Sequence, residues 1–137
     1  ALAETRAIRA HDLQQAEDAR RAGVASQLQA WWVAADGQWA IQVVNGAAGA
    51  SVFRDIKIFA RGKKPLSIEV LPPGAYVVFQ NPAGADYPWG FPRFATDNEQ
   101  WNPITKSREH VVERMTFRDP VGTAWSWSRE TGLTENS

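Results

Sequence analysis

The sequence predicts a mainly β protein, an antiparallel sandwich of about seven strands preceded by one N-terminal α-helix. Three observations carry this. Helix-forming residues without proline run only as far as Gly23, and beyond it the hydrophobic period shortens to about two. Turn-forming dipeptides then recur at fairly even spacing. No helical stretch separates the predicted strands, so nothing is available to cross over a parallel sheet. An aligned sandwich of immunoglobulin-like type fits best, and a small barrel is second.

The helix is predicted over residues 1–26, with the sandwich domain over 27–137. Ala, Leu, Gln, Glu and Arg dominate the first stretch, Gly23 is a plausible stop, and Glu17–Arg21 and Asp18–Arg21 are spaced as helical ion pairs. Its apolar face is poor: Leu2, Ile8 and Leu13 do not line up at helical spacing. Such a helix suits a stalk, a coiled-coil-like oligomerisation element or a connector; a loosely docked terminal helix is the plainer alternative.

Strands follow in order. "QLQAWWVAADGQWAIQVVN" gives two around Asp36-Gly37, a dipeptide suited to a tight turn that would set Ala34 opposite Trp39 and Trp32 opposite Ile41. After the flexible "GAAGA", "SVFRDIKIFA" alternates, with Phe53, Asp55, Lys57 and Phe59 on one face and Arg54, Ile56 and Ile58 on the other. "RGKK", the longest basic run, looks like a turn. "PLSIEVLPPGAYVVFQ" gives two strands joined by Pro72-Pro73-Gly74, where the prolines exclude a continuous ladder. The last two strands flank Asp119-Pro120-Val121-Gly122, which has type I turn preferences and would form a three-residue loop with a bulge at Gly122. That register sets Phe117 opposite Trp125, Met115 opposite Trp127 and Glu113 opposite Arg129 on one face. Arg114, Thr116, Ala124, Ser126 and Ser128 make a polar opposite face, so the tryptophan face is the core face.

Composition narrows the functional classes. Fifteen basic and fifteen acidic residues balance, so neither nucleic acid nor an anionic membrane surface is indicated as the main partner. There is no cysteine, hence no thiol or disulfide chemistry. No apolar run approaches the ~18 residues of a membrane span. His11 and His110 have no metal-ligand spacing, and phosphate-loop and G-x-S-x-G patterns are absent, so no catalytic residue, metal or cofactor is expected. Asp86, Asp97 and Glu99 match no recognised calcium loop and are read as a solvated turn.

The order "WWVA…VVNGA…VFRDIKIFA…LPPG…TFRDPVGTAWSWSRETGL" resembles a β-sandwich module of uncharacterised, often membrane-anchored actinobacterial and actinophage proteins. The matching pieces are Ala30 to Val33, Asn45 with Val52 to Ile58, Leu71 to Gly74, and Phe117 to Leu133. The pattern usually has arginine two places after the hairpin tryptophan, where this chain has Trp127. The resemblance implies a membrane segment ahead of the charged helix, and it supplies no active site. With "RRAG" close behind such a segment, the sandwich would face the cytoplasm, an extracytoplasmic position remaining the alternative.

The outlier is aromatic content, seven tryptophans with six phenylalanines and two tyrosines. Asn81 to Lys106 holds four prolines, two glycines and five of the aromatics without alternation, a length of irregular chain uncommon in a compact domain unless functional. Its candidate binding residues are Tyr87, Trp89, Phe91, Arg93, Phe94 and Trp101. They either pack as a satellite core, or present a surface for a protein partner or self-association, or bind carbohydrate with Asp86, Asp97, Asn98 and Gln100. The expectation is a non-catalytic interaction module on a helical stalk, with carbohydrate binding as the alternative.

Overall fold

The computed structural model describes residues 2–35, 37–96 and 100–136, with side chains from residue 8 onward. The expectations for Leu2, Asp36, Asp97, Asn98 and Glu99 therefore lie outside the described side chains. Helix α1 spans Leu2–Ala25. Among the described residues ten strands follow: β1 Leu28–Ala35, β2 Gln38–Asn45, β3 Phe53–Ala60, β4 Leu66–Leu71, β5 Gly74–Phe79, β6 Arg93–Phe94, β7 Asn102–Pro103, β8 Val112–Arg118, β9 Ala124–Ser128 and β10 Gly132–Glu135.

Every side chain from Ile8 to Arg20 is exposed, as expected for a helix without an apolar stripe. Among the described side chains the helix meets the sandwich near its C-terminal end, where Ala25 is fully buried and Ala22 packs on the core. Gly23 does not stop the helix, which ends two residues later. Docking of Ala22 and Ala25 outweighs the ~1 kcal/mol that glycine costs within a helix. Arg21 reaches both Asp18 (2.7 Å) and Glu135 on β10 (3.1 Å), so Glu17 pairs with Arg20 rather than with Arg21.

The strands form two antiparallel five-stranded sheets, ordered β6-β5-β2-β1-β7 and β10-β9-β8-β3-β4. The two sheets pack face to face as a β-sandwich. Trp32, Ile41, Val43 and Val78 come from the first, and Phe53, Ile56, Ile58, Met115, Phe117 and Trp125 from the second. The seven long strands are those the sequence predicts. The three additional ones are short, two residues in β6 and β7 and four in β10, too few to show an alternation in sequence.

Hairpin β1–β2 has the expected register, with Ala34 opposite Trp39 and Trp32 opposite Ile41. The two strands around Pro72-Pro73 do not pair with each other: β4 belongs to one sheet and β5 to the other. The Tyr76 hydroxyl donates to the Pro72 carbonyl (3.1 Å) and fastens this crossing. Asn45 does the same for the β2–β3 crossing. Although only 2% exposed, it is satisfied: its amide donates to the carbonyls of Ser51 (2.9 Å) and Leu71 (3.0 Å) and accepts from the Ala47 N–H (3.0 Å).

Strand β3 departs from simple alternation. Phe53 is buried with Ile56 and Ile58, while Arg54, Asp55 and Lys57 are exposed. The cause is a bulge: Arg54 faces Arg118 but Lys57 faces Thr116, and Asp55 adopts φ 50° to absorb the extra residue. Asp55→Val should therefore lower stability by about 1–2 kcal/mol, since a β-branched residue is strained in the left-handed region. Asp55→Gly should be neutral or stabilising. Chemical denaturation of both variants checks this; equal destabilisation would mean that the Asp55–Arg118 contact (3.5 Å) matters more than the backbone.

The closing hairpin keeps its predicted pairs, Phe117 with Trp125 and Met115 with Trp127. Gly122, at φ 93°, closes the turn with its N–H on the Asp119 carbonyl (2.9 Å). The Glu113 carboxylate, however, bonds Arg61 (2.7 Å) instead of pairing with Arg129. A second register shift, between Phe59 and Ala60, separates Glu113 from the tryptophan face, although the Arg129 N–H still bonds the Glu113 carbonyl (3.1 Å).

Candidate functional site

The long segment after β5 is organised from its two ends. At its start, Trp89 bridges back to Gln80 and its ring enters the core beside Trp32, with ring centres 5.7 Å apart. Its indole N–H donates to the Lys64 carbonyl (2.9 Å) just ahead of β4. Trp89 is thus a peg that locks the segment onto the opposite sheet. Asn81 braces the same bend, donating to the Tyr87 carbonyl (2.8 Å), and the Gly90 N–H bonds the Phe79 carbonyl (2.9 Å).

Further on, β6 pairs with the outer edge of β5 and β7 with the outer edge of β1. On the outer face of this sheet Val33, Ala40 and Val77 are fully buried, with Trp31, Phe79, Ala95 and Trp101 packed on them. Trp101 lies 5.4 Å from Phe79, and the Arg93 guanidinium sits 4.9 Å from the same ring. Phe94 stacks on Tyr76 at 4.8 Å and crowds Gly74, where an added Cβ would meet its ring at 3.1 Å.

The six candidate residues therefore divide. Trp89 enters the core, Trp101 is half-buried against Phe79 on the outer face, and Arg93 lies back over the same ring. Phe94 is 64% exposed despite its stacking partner, whereas Tyr87 is 75% and Phe91 95% exposed. Tyr87 and Phe91 flank Trp89 in an open groove of about 520 Å³, completed by Pro65, Leu66, Pro88 and Pro92. Of the two tryptophans on which carbohydrate binding would lean, Trp89 is buried in the core and Trp101 is half-buried on the outer face of the sheet. Pro65, Leu66 and the Lys64 carbonyl were not legible as site components in the sequence. A carbonyl acceptor has no sequence signature, and only the crossing between sheets brings β4 to this loop.

A second aromatic group lies at the same end. His110 stacks on Trp39 (3.7 Å, 10° between planes) and meets Trp32 edge-on at 5.0 Å. It sits two residues ahead of β8 rather than within it. Ser107 caps this turn, accepting from the N–H groups of Glu109 (3.2 Å) and His110 (3.0 Å), with its hydroxyl 3.3 Å from His110 Nδ1. Among the described residues no carboxylate bonds the imidazole.

Burial holds the His110 pKa below its ordinary 6.5; Lys63 adds to this and Glu109 opposes it. The folded state thus binds the proton less readily than the unfolded chain. Stability from this position is complete above about pH 6.5 and is lost as the pH falls through the lower folded value. Urea midpoints of the wild type should accordingly drop relative to His110→Gln between pH 7.5 and 5. A difference constant with pH would refute the assignment.

No family model, no curated protein and no solved structure matches this chain.

Proposed function

We propose that this protein is a non-catalytic immunoglobulin-like interaction module carried on a helical stalk, working through protein–protein contact or self-assembly. The single observation that carries it is the Tyr87–Phe91 pair. A phenylalanine left 95% exposed beside a tyrosine 75% exposed, over a groove and on a segment pegged by Trp89, is aromatic surface left in water. Aromatic anchors of this kind are what protein interfaces bury. The Trp89 peg holds the backbone between them in place, which lowers the entropic cost of docking.

Strand order supports the immunoglobulin-like reading. Strand β5 returns beside β2 after the chain has passed through β3 and β4 in the other sheet, and β8 returns beside β3. This interlocked Greek-key path is shared by sandwiches of that type. The stalk reading rests on α1, which is exposed from Ile8 to Arg20 and docks through Arg21, Ala22 and Ala25. The sequence resemblance adds a membrane tether ahead of α1; no described helix is itself long and apolar enough to cross a membrane.

The test is a photo-crosslinking amino acid in place of Phe91. It should form protein adducts in expressing cells, or with a second copy in purified solution, and Tyr87→Ser should suppress them. No protein adduct in either setting would sink the proposal.

A further inference from the structure

The groove abuts an open sheet edge at Pro65, Leu66 and Ser67. The first sheet ends in the two-residue strands β6 and β7, and the β10 edge of the second is tied to α1 through Glu135 and Arg21. Its other edge is β4, and among the described residues no hydrogen bond reaches the outer side of Leu66 to Val70. Pro65 and Pro72 bracket this edge, a device that confines pairing to a short window. Val70 on it is 48% exposed.

Charge says what the edge would accept. Lys63 and Lys64 lead into β4, and on the neighbouring strand Lys57 faces Ser67 while Arg54 faces Val70. Among the described residues none of these four cations is in an ion pair. Asp55 is engaged with Arg118, which leaves Glu69 as the acidic residue on β4 itself. Ser67 is short, so Lys57 can reach across it towards a strand laid alongside, about 4.8 Å further out.

We propose that β4 is the docking edge for an extended acidic segment of another protein, which adds to the sheet as a further strand and passes the Tyr87–Phe91 groove. Main-chain hydrogen bonds supply affinity, the cations select acidic side chains, and the groove takes an apolar residue. This rests on the groove being an interaction surface, and the test separates the two ideas.

The probe is a short peptide alternating valine and glutamate with leucine at each end, compared with its lysine counterpart. The glutamate peptide should slow hydrogen exchange of the outward amides of Leu66 to Val70 by about tenfold near saturation, and the lysine peptide should not. Lys57→Glu with Lys64→Glu, both exposed, should weaken the glutamate peptide about tenfold and reverse the preference. Equal binding of the two peptides, or no protection of β4, overturns the proposal. If Phe91→Ala weakens binding while β4 stays unprotected, the groove reading stands and strand addition falls. Protection of β4 unaffected by Phe91→Ala supports strand addition and removes the groove from it.

Discussion

Asp119→Ala should destabilise the protein by about 3 kcal/mol, read from the urea midpoint. Asp119 is 2% exposed, and its carboxylate accepts three hydrogen bonds: Oδ1 takes the N–H groups of Val121 (3.0 Å) and Thr123 (2.9 Å), and Oδ2 takes the Trp125 indole N–H (2.9 Å). One side chain thereby fixes the turn and orients the tryptophan behind it. Alanine leaves all three donors without that acceptor, and bonds to a charged acceptor are worth roughly 1.5–3 kcal/mol each, less what water recovers at the turn. Asp119→Asn should cost less, about 1–2 kcal/mol, because one oxygen remains while an N–H group is turned against the indole. Adding Trp125→Phe removes the opposed donor. A double-mutant cycle should therefore show coupling between the two positions. An Asp119→Ala effect under about 0.5 kcal/mol would mean that water replaces the carboxylate in full.

Trp89→Ala should cost about 4 kcal/mol, whereas Phe91→Ala two residues away should stay within about 0.5 kcal/mol of wild type. Trp89 loses its contact with Trp32 and its bond to the Lys64 carbonyl, and a large cavity opens at the end of the core. Phe91, 95% exposed, has little packing to lose. The pair separates a structural from a recognition role on one segment. Trp89→Ala should impair any binding indirectly, through the fold, and Phe91→Ala directly with the urea midpoint unchanged. Large destabilisation by Phe91→Ala would show that its ring is packed in solution, and the interaction surface would have to be sought elsewhere.

Much of the fold was legible because it is encoded locally. Gly37 and Asp119-Pro120-Val121-Gly122 mark two hairpins whose registers place Trp32, Met115, Phe117 and Trp125 in the core. The errors arose where a single residue shifts phase. Asp55 at positive φ moves Phe53 to the inner face, and a second shift takes Glu113 from the expected pairing with Arg129 to Arg61. Period-two patterning cannot register an extra residue unless glycine announces it, and here aspartate occupies the bulge.

At the candidate site, local composition already concentrates the aromatics between Asn81 and Lys106, on chain too rich in proline to continue a ladder. Which rings serve packing was decided only by tertiary structure. Trp89 finds an acceptor at Lys64, Trp101 lies over Val33, Ala40 and Val77, and Tyr87 and Phe91 meet no comparable surface. The physical reason is that a ring's burial depends on partners distant in sequence. Those partners are brought within reach by the crossing of β4 and β5 between sheets, a long-range consequence of core closure that no local pattern specifies.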